Sequence, residues 1–194
     1  MKMQSLILTA GLALASSQVV FAKSSTPAEG NYAIDTSHTS VTFSVDHMGY
    51  SKVMGRFNEL EGSLNVADKK SSNLDVIIKS ASIDTNHGKR DDHLRSPDFF
   101  NVKQFPTITF SSPLSLKGDE KTAKLKGELE LLGVKKPVEL VLTKGNEGKD
   151  PWGLYRIGYV ATTTIKRSDF GMDFMQGGIG DEIDITINFE AIKQ

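Results

Sequence analysis

From Asn31 onward the chain alternates apolar and polar residues with a period of two. Val41, Phe43 and Val45 interleave with Thr42, Ser44 and Asp46, the pattern of a strand with one buried and one wet face. The alternation returns at 64–66, 108–110, 125–131, 138–142 and 183–189. Turn-forming residues at 67–70, 117–120 and 144–153 separate these runs. No long stretch keeps a helical period, and the exception is short. Within Arg90 to Phe110, the spacing predicts one helical turn across 91–95 and a second across 97–102. Ser96 serves there as cap, Pro97 suits the first helical position, and Asp98 sits at the positive end of the helix dipole. Pro106 then marks the entry to the next strand.

About eight such strands in series predict an all-β, antiparallel domain. Closure into a barrel removes exposed edges and is favoured over an open sheet, although the period fits a sandwich equally well. A barrel of about eight strands either fills its interior with side chains or holds one small ligand.

The first residues follow a different pattern. Lys2 gives a positive start, 6–15 form a short apolar core, 16–18 are polar, and Val20-Phe21-Ala22 ends on a small residue. This is the three-part pattern of a signal peptide cleaved after Ala22, and its core is shorter than the roughly 20 apolar residues of a spanning helix. Residues 1–22 are therefore expected to be removed, 23–30 to form a flexible lead-in rich in Ser, Thr, Pro and Ala, and 31–194 to form a single domain. The chain contains no cysteine, which argues against a lipid anchor and leaves the hydrophobic core to hold an exported fold. The bacterial periplasm fits that combination best. Acidic and basic residues number 24 and 23, so charge supplies no reason to expect nucleic acid. No transmembrane segment follows the leader, and the patterning leaves monomer and homodimer open.

Candidate chemistry is sparse. His87 and His93 flank Lys89, Arg90, Asp91 and Asp92, but their spacing matches no usual zinc pattern and two cations oppose a metal ion. Ser37-His38 and Ser168-Asp169 offer hydrolase residue types without a nucleophile elbow. Two stretches, from Arg90 to Phe100 and from Arg167 to Met172, share a layout of charge, turn and aromatic ring. Pairs of Arg90 with Asp91 and of Arg167 with Asp169 would tie loops to a barrel rim; alternatively, one arginine faces a ligand headgroup. The phenylalanines fill a core or line a cavity, according to whether the interior is full.

Several motifs carry a family resemblance. They include Tyr32-Ala-Ile-Asp35, Ser37-His38-Thr-Ser-Val-Thr-Phe43, His47 with Gly49, Val53-Met-Gly55-Arg-Phe57 and Ser82-Ile-Asp-Thr85. Arg90 to Phe100, Phe105-Pro106, Ile108-Thr-Phe110, Gly127 to Val138, Arg167 to Met172 and Gly180 to Ile183 continue the series. In order and number they resemble the YceI-like family of bacterial periplasmic, lipocalin-like proteins that bind polyisoprenoid lipids. The resemblance implies a lipocalin-like barrel with a hydrophobic tunnel, a polyisoprenoid lipid or isoprenoid quinone as partner, no cofactor and no catalysis. It implies a rim built from Arg90, Asp91, Leu94, Phe99 and Phe100 on one side, and Arg167, Asp169, Phe170 and Met172 on the other. Phe43, Val45, Phe57, Phe110 and Leu129 are the expected tunnel positions. The rival readings are a filled, stress-linked barrel that binds a protein partner and, behind it, a histidine-dependent hydrolase or metal protein.

Overall fold

The structure, a computed structural model, describes residues 27–67, 72–114 and 121–194. The expected leader with its Ala22 cleavage site, the start of the lead-in and the turn tips at 68–70 and 117–120 lie outside the described residues. The strands are β1 (Gly30–Ile34), β2 (Ser40–His47), β3 (Ser51–Phe57), β4 (Leu60–Val66), β5 (Asn73–Lys79) and β6 (Ile83–Asp84). A helix, α1 (Gly88–Leu94), precedes β7 (Thr107–Pro113), β8 (Thr122–Leu131), β9 (Val134–Lys149), β10 (Tyr155–Lys166) and β11 (Ile179–Lys193).

Every strand pair is antiparallel, and the order β1-β4-β5-β7-β8-β9-β10-β11 returns to β1. That closed ring decides for a barrel over a sandwich. The remaining strands prolong three members of the ring. β2 continues β1 along β11, β3 continues β4 along β2, and β6 continues β5 along β3. The result is an eight-stave, up-and-down barrel in which each stave pairs with its sequence neighbours. This layout leaves no long free edge around the ring.

Local chemistry sets the breaks and turns. The Asp35 carboxylate accepts the Ser37 N–H at 3.1 Å and starts a single 3-10 turn, Thr36–His38, which bends the first stave. Leu132 and Gly133, both at positive φ, close the tight β8–β9 hairpin. α1 begins earlier than the spacing predicts, because the His87 ring accepts the Arg90 N–H at 3.2 Å and caps it. The second expected helical turn does not form. Residues 95–100 run as hydrogen-bonded turns, Phe100 N–H reaching Leu94 O at 2.9 Å, and Asn101 at φ 42° ends any helical course.

The two ends of the barrel differ. Where β1, β4, β10 and β11 meet, Tyr32, Leu64, Ile157 and Ala191 are fully buried and packed with Leu125, Leu140, Leu142 and Phe189. Burial, then Tyr155 and Glu147, pushes the Tyr32 phenol up to about 12, so it stays a neutral donor to Ala28 O at 2.5 Å. Toward the other end, Val41, Phe57, Ile83, Ile108, Leu131 and Phe170 form a second cluster.

Outside the closed end, Arg156 gathers three carboxylates from different staves. Its guanidinium pairs with Asp35, with Glu190 at 2.9 Å and with Asp150 at 3.3 Å. Hydrogen bonds from Ser37 and then Arg156 hold the Asp35 carboxyl well below the usual carboxylate range. A depressed folded-state pKa contributes stability above the unfolded value near ~4, and that contribution is lost as pH falls below it. Arg156→Leu is therefore expected to lower the melting temperature by a few degrees at neutral pH. The gap to wild type should shrink below about pH 4 as the carboxylates protonate, which thermal unfolding at pH 7 and in that acid range measures.

Candidate functional site

The half of the barrel away from the packed end is hollow. The cavity has a volume of about 460 Å³, within the usual range for small-ligand sites. Strand parity builds its wall. Val41, Phe43 and Val45 of β2 stand opposite Ile187, Ile185 and Ile183 of β11, so all six share the inner face. Val53 and Phe57 of β3, Ile78 of β5, Phe110 of β7, Leu129 of β8 and Val138 of β9 complete most of the ring. Phe43 and Ile185 are only half-buried, because their inner faces meet empty space rather than neighbours.

Two glycines keep that space open. Phe43 is paired in register with Gly55, and the Phe110 ring lies over Gly127. A Cβ at Gly55 would collide with the Phe43 ring and stand 2.8 Å from Thr85 Cγ2, while a Cβ at Gly127 would meet the Phe110 ring and Ser111 O at 2.6 Å. The missing side chains let both rings lie against the wall instead of projecting across the cavity.

The mouth carries the polar groups. It is framed by His47 and Ser51 at the β2–β3 turn, Arg90, His93 and Leu94 of α1, Phe99 and Phe100, and Arg167, Met172 and Met175. The segment between β6 and β7 lies over this end and is anchored to the wall. Arg95 donates to Ala81 O at 2.8 Å and Ile83 O at 2.7 Å, and Ser80 Oγ donates to Phe105 O at 2.6 Å. The His93, Phe99 and Phe174 rings meet edge to face with centroids 5.1–5.3 Å apart, joining the segment to the loop after Arg167. Phe100 sets its edge on Phe57, which in turn packs on Phe43.

The two expected rim ion pairs do not form. Arg90 and Asp91 meet on Thr85 instead: Arg90 donates to Thr85 Oγ1 at 2.7 Å and Thr85 O at 2.8 Å, while Asp91 accepts Thr85 N–H at 2.9 Å and its hydroxyl at 2.5 Å. Asp91 is buried as a brace and does not reach the cavity, whereas Arg90 does. Arg167 is 2 % exposed and gives its donors to four carbonyls, those of Gly180, Met172, Phe174 and Ile179, at 2.7–3.1 Å. Asp169 is exposed and away from the wall, and Phe170 packs into the core beside it. Phe43, Val45, Phe57, Leu94, Phe99, Phe100, Phe110, Leu129 and Met172 join Arg90 and Arg167 on the cavity wall. Sequence reasoning passed over Ile183, Ile185, Ile187, His47 and Met175. The isoleucines carried a legible signal, since their alternation already put them on one face.

The histidines do not assemble a centre. His87 caps α1, and His93 contacts Asp98 at 2.8 Å. Asp35, His38 and Glu190 are close enough to share an ion, yet the Arg156 guanidinium already sits on both carboxylates. Ser37 and Asp35 both approach the same ring nitrogen of His38, at 3.0 and 2.9 Å, whereas a hydrolytic relay needs them on opposite nitrogens.

Two substitutions test this account of the mouth and wall. Gly55→Ala should drive the Phe43 ring inward and reduce uptake of a hydrophobic fluorescent dye while circular dichroism stays that of a β-barrel. Arg167→Met strands four carbonyls and should cost about 3 kcal/mol, read from urea unfolding; Arg167→Lys, lacking the planar fork, should recover only part of it.

Comparison with known proteins places this barrel among relatives. The model of the YceI-like domain matches residues 32–191. UPF0312 proteins of Ectopseudomonas mendocina and Azotobacter vinelandii are each 40% identical over 168 residues, covering 84% of this chain and 88% of theirs. The crystal structure of a YceI protein from Campylobacter jejuni is 31% identical with a TM-score of 0.65, covering 77% of this chain and 90% of that one. A polyisoprenoid binding domain from Saccharophagus degradans shares the fold, with a TM-score of 0.69 at 16% identity over 84% of this chain and 98% of that one. By motif order, domain match and closed eight-stave barrel, the chain belongs to the YceI-like family.

Proposed function

We propose that this protein is an exported, non-catalytic carrier that holds a polyisoprenoid lipid or isoprenoid quinone, its chain in the barrel and its head at the mouth. The observation that carries this reading is the hollow itself: a largely aliphatic and phenyl wall, with charged side chains gathered at one opening. Each methylene removed from water contributes ~0.8 kcal/mol, so a few isoprene units outweigh the cost of ordering a flexible chain. A hollow of this size disfavours the rival in which the barrel is filled. The name of the Saccharophagus degradans domain points the same way. The leader pattern and the lack of cysteine support the periplasm as its compartment.

Arg90 is the best-placed head contact. Its Nε and Nη2 are held by Thr85, and its Nη1 has no hydrogen-bond partner among the described residues. A fixed guanidinium with a free N–H edge suits a phosphate oxygen or a quinone carbonyl.

Organic extraction of protein purified from its native compartment, followed by mass spectrometry, should yield a prenyl lipid near one per chain. An empty extract, with no uptake of added polyprenyl phosphate or isoprenoid quinone, would overturn the reading. Phe100→Asp should abolish retention, and Arg90→Ala should weaken it about tenfold, the scale of one charge-assisted hydrogen bond.

A further inference from the structure

One side of the mouth carries apolar side chains that face water. Tyr50 is 88 % exposed, Met48 49 % and Met175 45 %, and Met54 on the outer face of the same hairpin is 69 % exposed. Two turns present Met48, Tyr50 and Met175. Met48 and Gly49 both take positive φ, 54° and 71°, making a tight turn that Asp46 holds by accepting Gly49 N–H at 2.8 Å. The neighbouring turn is closed by Gly178 and Ile179 N–H, each 3.0 Å from Met175 O. Met48 N–H bonds Gly178 O at 2.9 Å, and both thioether methyls converge on Gly178: a Cβ there would lie 3.3 Å from Met175 Cε and 3.8 Å from Met48 Cε. The two tips therefore form one unit. Met175 also lines the cavity, so the exposed apolar surface reaches the interior there.

From this geometry we propose that the two tips are a membrane-docking surface, inserting Met48, Tyr50 and Met175 into the interface of a lipid bilayer so that cargo passes between bilayer and cavity without crossing water. The direction of traffic rests on the proposed function; the docking itself does not. A second copy of the chain fits the patch poorly. A stable dimer buries about 800 Å² on each partner, more than a few tip side chains supply, and it would seal the mouth. Tyrosine at a tip suits a headgroup boundary, and methionine adapts to a disordered apolar phase. Near the tips, Lys52 pairs with Asp184 at 2.6 Å, while Asp46 accepts Gly49 N–H and Asp173 accepts the Gln176 amide, so the tips carry no excess of positive charge to draw them to an anionic surface. Docking is accordingly driven by apolar insertion and only weakly dependent on salt.

The test is flotation of the purified protein with vesicles of phosphatidylethanolamine and phosphatidylglycerol, beside uptake of a fluorescent prenyl lipid offered either in those vesicles or in detergent micelles. Wild type should float with the vesicles at low and high salt. The variant carrying Met48→Ser and Tyr50→Ser, neither of which lines the cavity, should float about tenfold less and load about tenfold more slowly from vesicles, yet load normally from micelles. Wild type that stays with the soluble fraction, or a variant that floats and loads like wild type, would overturn the docking surface. A dimer in sedimentation velocity that the variant dissolves would assign the patch to a second copy and overturn it as well. Failure to load from either source, with flotation intact, would reject the cargo and leave the docking standing.

Discussion

The barrel closes where β11 meets the first stave, along β2 for most of its length and along β1 over a short seam at the plugged end. β1 gives three residues to β11, pairing Tyr32 with Lys193, Ala33 with Ile192 and Ile34 with Ala191. Without those pairs β1 and the last residues of β11 would be open edges at the plugged end, where β2 no longer covers β11. The seam also constrains the first stave. β11 must serve β1 at its end and β2 along most of its length, and the registers differ: five residues separate Ile34 from Ser40, but only two separate Asn188 from Ala191. The Asp35-capped turn absorbs that excess, and Arg156 clasps its Asp35 to Glu190 on β11. Tyr32 and Ala191, nearly inaccessible to water, plug the barrel at the seam.

With one end plugged, the hollow at the other follows from side-chain size and placement. The wall carries many branched aliphatics, whose stiff side chains lie close to the sheet, and two phenyl rings rest over glycine. Charged groups are confined to the mouth, where the segment between β6 and β7 spans the opening, and the hydroxyls of Thr39 and Thr163 on the wall donate to the carbonyls of Asp35 and Glu139. Water inside such a cavity would find almost no partners, which is the physical condition under which an apolar guest is favoured.

The three arginines near these features show how little residue type alone conveys. Arg156 holds carboxylates outside the plug, Arg167 is sealed under a loop by carbonyls, and Arg90 keeps one edge free at the mouth. In sequence, Arg90 and Arg167 sat in similar settings of charge, turn and aromatic ring. Their partners differ because a guanidinium takes whatever acceptors the folded backbone brings near it. For Arg167 these come from residues 172–180, and for Arg90 from Thr85.

Alternation along the chain was enough to establish an antiparallel all-β class and the strand runs at 41–45, 64–66, 108–110, 125–131, 138–142 and 183–189. β3, β5 and β10 went unread, and the first part of the turn expected at 144–153 belongs to β9. Side-chain direction in a strand is local, repeating every two residues whatever the partner. The same locality made Phe43, Val45, Phe110 and Leu129 legible as inward positions, and the motif order made the family legible, and with it Phe57. The helix limits were less so, because His87, a weak signal by type, acts as the cap. Closure, the cavity and the arginine partners were decided only in three dimensions. Closure joins Tyr32 to Lys193 across nearly the whole chain, a cavity is the sum of many side-chain volumes against one ring, and a buried guanidinium is defined by the carbonyls around it. None of these is a property of any short stretch of residues.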